Sequence, residues 1–239
     1  MEKDAIRTQI WDRLADEGIA RFPFPPHGRI PNFDGAAEAA ERLADDAWWR
    51  EAETIKCNPD APQRPVRARA LTDGKTVVMA QPRLRSPQPF IRIDPGTIDD
   101  PADASTIGGA AEYGQPMAPE AVPPIDAIVA GSVAVDRIGG RIGKGEGYSD
   151  LEFAILRELD VIERDVTVAT TVHDIQVLGD EIQIAAHDVS LDRISTPTET
   201  IHCENRPPRP DGIDWSLVDD ERLEAIPVLS TFDNGVKGP

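Results

Sequence analysis

Twelve consecutive residues, Gly139-Gly140-Arg141-Ile142-Gly143-Lys144-Gly145-Glu146-Gly147-Tyr148-Ser149-Asp150, constrain this chain more than any other stretch. They follow Ile125–Val135, an apolar run whose continuity marks a strand buried on both faces of a parallel sheet. They precede a helix expected from about Asp150 to Leu159, with Ser149 and Glu152 at capping-box spacing. Closely spaced glycines permit positive φ and let backbone N–H groups converge, and a helix N-terminus favours negative charge. Arg141 and Lys144 add two cations, so the ligand class indicated is phosphate. The order is not a P-loop, G-x-x-x-x-G-K-[ST], nor the dinucleotide fingerprint, which needs an acid at the end of the next strand. The plain alternative is a flexible surface turn. Asp150 has two compatible readings: it favours the first helical turn electrostatically, or it binds a Mg²⁺ that separates it from phosphate oxygens.

The surrounding pattern predicts an α/β protein. Val166–Val172 is the next strand, which makes a βαβ unit with a locally parallel sheet. Upstream, Ile6, Ile10 and Leu14 define an amphipathic helix over 3–17 that stops at Gly18, with Lys3 and Arg7 on one face. Four prolines make 21–33 a loop, and an Ala-rich helix is expected over 35–52 with Asp34 as its cap. Strands are expected at Thr54–Cys57, Thr76–Ala80 and Phe90–Ile93, separated by proline- or glycine-containing turns, and later at Ile182–Ala186 and Ile194–Ile201. Residues 95–124 read as a mobile surface insertion or linker. Residues 204–239 read as a proline-rich acidic tail, peripheral to a domain over 1–203, with a short helix at Asp219–Ala225.

Charge restricts function. The formal net charge is -18, with 26 Asp and 17 Glu against 5 Lys and 20 Arg. Such acidity argues against a nucleic-acid partner. Scarce lysine beside many short carboxylates suits a surface hydrated in high salt, a halophilic trait, although a GC-rich genome also favours arginine. No apolar run reaches the roughly 18 residues of a membrane span, and the N-terminal residues are charged and amphipathic, so a cytoplasmic location is expected. Two cysteines, Cys57 and Cys203, exclude a disulfide framework and a Cys-rich zinc site. His173, His187 and His202 fit no standard metal spacing. One segment breaks the acidic trend: residues 56–92 hold eight cations against Asp60 and Asp73, a net of +6. It is either an anion-focusing site or a solvated, ion-paired loop.

The strand Pro124-Ile125-Asp126-Ala127-Ile128-Val129 followed by Gly140–Asp150 resembles the signature of the 5-formyltetrahydrofolate cyclo-ligases, also called methenyltetrahydrofolate synthetases. Lys3 and Arg7 sit where that family has a helical Lys and Arg. Lys75–Leu84 resembles its strand with Pro-Arg, and Gln176, His187-Asp188, Asp192 and Thr196 resemble its C-terminal order. The resemblance covers roughly 1–203 apart from 95–124. It implies a Rossmann-like three-layer fold with a mostly parallel sheet, and a reaction that needs ATP and Mg²⁺. In that reaction the formyl oxygen of 5-formyltetrahydrofolate attacks the γ-phosphoryl group. N10 then closes the ring, phosphate leaves, and 5,10-methenyltetrahydrofolate forms. It further implies that Lys3, Arg7, Arg141, Gly143, Lys144, Gly145, Gly147 and Tyr148 hold the triphosphate, with Lys144 and Arg141 catalytic and Asp150 on Mg²⁺. Arg64 and Arg67, in the basic segment, are expected to face the anionic glutamate of folate. The chain departs from the family in two places. Tyr148-Ser149-Asp150-Leu151 replaces Tyr-Tyr-Asp-Arg, and Asn58-Pro59-Asp60 occupies the stretch of a folate-contacting Glu. Two alternatives therefore stand beside the folate reaction: an ATP-dependent ligase or kinase on another anionic metabolite, and a non-catalytic nucleotide-binding protein.

Overall fold

A computed structural model of the chain describes residues 2–232. In order these form α1 (Lys3–Asp16), β1 (Ala20–Arg21), β2 (Asn32–Phe33), α2 (Ala36–Ala44), α3 (Ala47–Glu51), β3 (Thr54–Cys57), α4 (Arg64–Thr72), β4 (Thr76–Ala80) and β5 (Phe90–Ile93). Next come α5 (Pro101–Ala104), α6 (Ile107–Tyr113), β6 (Gln115–Met117), β7 (Ala127–Val129), β8 (Ala134–Asp136), β9 (Arg141–Ile142) and α7 (Tyr148–Glu158). The last are β10 (Thr167–Thr171), β11 (Val177–Leu178), β12 (Arg193–Ser195), β13 (Thr200–His202) and α8 (Asp220–Ala225).

The main sheet, eight strands among the described residues, runs β13-β12-β10-β7-β3-β4-β5-β6. The middle five are parallel, and antiparallel strands flank them on both sides. Alternation along β4 sorts the layers. Val77 and Met79 pack with Leu43 of α2 and Val66 of α4, while Val78 and Ala80 pack with Leu151 and Ile155 of α7. Helices thus cover both faces, giving the Rossmann-like three-layer α/β fold with its mostly parallel sheet. The stripe Ile6, Ile10, Leu14 docks α1 on Ala134 and Ile142 of the small β11-β8-β9 sheet and on the adjoining Val133. Burying such a side chain contributes about 1.5–3 kcal/mol, which fixes the α1 end that carries Lys3 and Arg7. Among the described residues no helix is long and apolar enough to cross a membrane.

Several local expectations are corrected. The helix over 35–52 is two, α2 and α3, broken at Asp45-Asp46, with the Asp46 side chain accepting from the Ala47 N–H (2.6 Å). Its N-cap is Gly35 at φ +81°, not Asp34, whose carboxylate pairs with Arg21 (2.9 Å). Between β3 and β4 lies α4, where a turn was expected; Pro65 occupies its first turn, where no N–H is required. The run 125–135 is two strands in two sheets, β7 and β8. Ser149 and Glu152 form no capping box: α7 starts at Tyr148 after Gly147 (φ +72°), and Glu152 turns inward. Residues 182–186 form no strand, and 194–201 fold back as the β12–β13 hairpin.

Two segments read as peripheral are packed. Residues 95–124 form α5, α6 and the edge strand β6, burying Ala104, Ala110, Met117 and Val122. Beyond residue 203, Ile213, Ile226, Val228 and Leu229 join the core that covers α7. The expected helix near 219–225 is present as α8, and residues 233–239 of the expected tail lie outside the described residues.

Candidate active site

The carboxyl ends of parallel strands in an open α/β sheet face the loops, and ligands bind there. A cleft of about 600 Å³ opens at that edge. It is bounded by the start of α1, residues 58–60 after β3, 80–85 after β4, Gly131 after β7, the glycine loop, and His187-Asp188. The glycine loop is the descent from β9 into α7. Gly145 adopts φ +105°, a backbone conformation that residues with side chains rarely take, so the turn of the loop beside Arg7 requires glycine.

The structure brings together Lys3, Arg7, Arg141, Gly143, Lys144, Gly145, Gly147, Tyr148 and Asp150, all lining this cleft. Lys3 Nζ pairs with Asp188 Oδ2 at 2.5 Å. Arg7 Nε donates to Gly143 O (2.8 Å), and its Nη1 pairs with Asp4. Lys144 Nζ lies 2.8 Å from Glu146 Oε2, and Arg83 Nη2 lies 3.1 Å from Glu146 Oε1. Lys144 and then Arg83 hold the Glu146 carboxyl below its ordinary range, with burial opposing them. Arg83 and Leu84 have φ of 57° and 53°, a left-handed pair unusual for side-chain-bearing residues. Such conformations persist only where the surroundings enforce them, and here they set Arg83 on the cleft wall. Arg85 also lines the cleft and forms no ion pair among the described residues.

Arg141 is 3% exposed, and each nitrogen of its guanidinium has an acceptor. Its Nη1 donates to Gly131 O (3.1 Å) and its Nε to Val189 O (3.4 Å), while Nη2 pairs with Asp150 Oδ1. That same oxygen accepts the Val189 N–H at 2.9 Å. Arg141 therefore holds Asp150 in place, and Asp150 already has a cation beside it.

The floor is a buried network that sequence reading missed. Lys56 (1% exposed) pairs with Glu152 (6%), which also accepts from Asn58 Nδ2 at 3.2 Å. Asn58 Oδ1 takes the Gly131 N–H (3.2 Å), and its backbone N–H donates to Gln63 Oε1 (2.6 Å). The available signal was spacing: Glu152 lies four residues before the buried Leu156, on the inward face of α7. Asp60 lines the cleft next to this network. Burial pushes its carboxyl up, and Lys144 partly offsets that.

Arg64 and Arg67, expected to face a substrate, are outside the cleft. Arg67 is 2% exposed and spends its guanidinium on the carbonyls of Ser105 (2.9 Å), Asn58 (2.6 Å) and Asp60 (3.1 Å). Arg64 is exposed on α4, near Ala102 O (3.4 Å). The +6 segment is not one patch, because β3, α4, β4 and β5 carry its cations to different faces. Lys75 is buried against Ala52 O, Arg69 pairs with Glu41 and Asp73, and Arg92 pairs with Asp94. Only Arg83 and Arg85 of its arginines reach the cleft.

A divalent cation held by hard oxygen donors fits part of this site. Asp150 and Asp188 both line the cleft, and both hydrogen-bond contacts of Asp150 fall on Oδ1, leaving Oδ2. Among the described residues no group of three or more His, Cys, Asp or Glu could cage a metal. One or two carboxylates suffice for a Mg²⁺ whose other positions are filled by water and ligand phosphates.

Comparison with known proteins gives a consistent picture. The model of the 5-formyltetrahydrofolate cyclo-ligase family matches residues 2–197. The chain is 42% identical over 233 residues to the methenyltetrahydrofolate synthase domain-containing protein of Mus musculus, covering 96% of this chain and 62% of the relative. The Homo sapiens protein of the same description is 37% identical over 236 residues, covering 97% and 61%. The chain thus spans about three fifths of the length of these curated relatives. Its fold is similar to the NMR structure of the Aquifex aeolicus 5,10-methenyltetrahydrofolate synthetase, with TM-score 0.54 at 16% identity over 87% of this chain and 95% of that one.

Proposed function

The chain belongs to the 5-formyltetrahydrofolate cyclo-ligase family, and from that premise we propose that it is an enzyme converting 5-formyltetrahydrofolate to 5,10-methenyltetrahydrofolate with ATP and Mg²⁺. The observation that carries this reading is the convergence of Lys3, Arg7 and Lys144 with the glycine loop in one cleft beside Asp150 and Asp188. The formyl oxygen attacks the γ-phosphorus and ADP leaves. N10 then adds to the activated formyl carbon and loses its proton, and the carbon–oxygen bond breaks to release phosphate. Phosphoryl transfer of this kind depends mostly on positioning and charge stabilisation. Loop amides from Gly143 to Gly147 and the ammonium groups of Lys3 and Lys144 bind the triphosphate, with Arg7 bracing the loop through Gly143 O. Asp150 and Asp188 would hold a Mg²⁺, which would supply charge neutralisation at the phosphates. Arg141 keeps Asp150 oriented, so its part is positioning. We place this reaction in the cytoplasm.

The test is methenyl absorbance in a mixture of the protein, ATP, Mg²⁺ and 5-formyltetrahydrofolate in high-salt buffer. ATP-dependent growth of the methenyl band is expected. No turnover at saturating substrate with ATP binding intact would reject the folate reaction. One observation favours another anionic substrate in that event: Asn58-Pro59-Asp60, in the stretch where the family has a folate-contacting Glu, lines the cleft.

Three variants probe the assignments. Lys144→Ala should weaken ATP about tenfold by calorimetry, because its ammonium carries charge to the loop while its own partner is a half-exposed carboxylate. Unchanged ATP affinity would remove Lys144 from the site. Asp150→Asn should shift the Mg²⁺ titration of turnover to higher concentration, and an unaltered titration would exclude its role. Asp60 gives a pH prediction. Its raised pKa means that ionisation sets in above the ordinary carboxylate range and then repels anionic ligands. ATP binding should therefore take up protons and tighten as pH falls through that range, by up to about tenfold per pH unit for one linked proton. Calorimetry in buffers of different ionisation enthalpy reads the uptake, which Asp60→Asn should abolish. Folding stability has the same sign: a raised carboxyl pKa costs stability as pH rises from the unfolded value through the folded one.

A further inference from the structure

The glycine loop has a second side. A groove of about 430 Å³ lies against it, sharing Gly145, Glu146, Gly147, Asp150 and His187 with the cleft, so the two spaces meet at the loop. Leu151 and Ala154 of α7 form its floor, and Ile213, Leu217 and Val218 form its outer wall. That wall belongs to residues past 197, where the family match ends. It is fixed in place rather than draped. Asp192 pairs with Arg206 and Arg209, Arg209 donates to Val166 O (2.7 Å), and the Ile213 N–H donates to Glu158 Oε1 (3.1 Å). From α8, Arg222 Nη2 reaches Glu146 O at 3.2 Å, tying the wall to the loop where groove and cleft join.

Building on the nucleotide reading above, we propose that this groove takes the nucleoside half of ATP, with the triphosphate crossing the glycine loop into the cleft. Space is the first reason. A cleft of about 600 Å³ is on the scale of one ligand pocket, and the reaction brings two substrates. Charge is the second. The cleft sets Lys3, Arg7, Arg83, Arg85 and Lys144 among its carboxylates, with Arg85 forming no ion pair among the described residues, whereas the outer wall of the groove carries Asp214 and Asp219 and its one arginine, Arg222, is turned to Glu146 O. The groove therefore disfavours phosphates and the folate glutamate and accepts a neutral base and ribose. Each of these aspartates uses Oδ1 to cap a following turn, and its Oδ2 has no partner among the described residues. A carboxylate oxygen left in this way accepts from a ribose hydroxyl. Surface is the third. Leu217 is 45% exposed, an uncovered apolar side chain beside Ile213 and Val218, suited to the face of a flat base. Reaction geometry agrees, since the folate must meet the γ-phosphate in the cleft and leaves the nucleoside to the opposite end.

The experiment compares ATP and inorganic tripolyphosphate by calorimetry on the full chain and on Leu217→Trp, which fills the groove from a half-exposed position. ATP affinity should fall about tenfold or more, with tripolyphosphate within about twofold of the unmodified protein. Retained tripolyphosphate binding also shows that the fold and loop are intact. Leu217→Ala, which only removes the apolar wall, should weaken ATP about threefold and leave tripolyphosphate alone. ATP affinity unchanged in both variants overturns the groove assignment, as does a parallel loss of both ligands. If the unmodified protein binds neither ligand, the nucleotide reading of the cleft falls, and the groove assignment with it.

Discussion

Lys56→Met should destabilise the protein by about 3–5 kcal/mol, because it leaves the Glu152 carboxylate buried without its cation. Lys56 and Glu152 are 1% and 6% exposed, so water cannot replace the missing partner. Asn58 Nδ2 would remain the one donor to that carboxylate. The double variant Lys56→Met/Glu152→Leu should recover most of the loss, since replacing both members of a buried pair by apolar groups is often close to neutral. A residual cost of about 1 kcal/mol is expected from the unsatisfied Asn58 amide. Urea unfolding of the single and double variants measures this directly. If the two single changes simply add, the pair is not coupled and the floor is not the network described. The same cycle separates stability from function. A double variant that folds yet turns over poorly assigns the network to substrate positioning in the cleft it underlies.

Arg141→Met should reduce ATP-dependent turnover about 100-fold or more, the scale of removing one preorganised electrostatic element. Three acceptors lose their donor together: Gly131 O, Val189 O and Asp150 Oδ1. Asp150 would keep only the Val189 N–H, and the carboxylate assigned to Mg²⁺ would lose its fixed direction. A stability loss of about 2–4 kcal/mol should accompany this, from the unpaired carboxylate and two buried carbonyls. Arg141→Lys discriminates charge from geometry. It restores a cation, but a single ammonium cannot serve three acceptors held apart by a planar fork. Activity between the two extremes is expected; full activity in Arg141→Met would show that Asp150 needs no positioning.

The glycine loop and α1 were legible because their signals are local. Positive-φ glycines, a four-residue apolar stripe and the Lys3/Arg7 spacing are properties of short windows, and the fold kept them. The strands β3, β4 and β5 fell where β-branched runs put them. The misreadings share a cause. Ile125–Val135 is apolar throughout, so the sequence could not show that the chain leaves one sheet at Val129 and enters another at Ala134. Pro62 and Pro65 looked like a turn, although proline is welcome in a first helical turn. Residues 95–124 and 204–232 looked peripheral because their apolar residues are few and scattered, and burial gathers them only after the sheet exists. The Ser149–Glu152 spacing suggested a cap, yet Glu152 found a stronger electrostatic partner in Lys56, 96 positions away.

The sequence by itself determined the fold class, the glycine loop and the family, since each rests on patterns within a few dozen residues. Tertiary structure decided which charges are available. Of the cations in 56–92, Lys56 and Arg67 became internal struts, and Arg83 and Arg85 became cleft wall. Charge is additive along a chain, but its effect depends on burial and partner. Both are fixed by contacts between distant segments, as with Arg141 and Asp150 or Arg222 and the glycine loop.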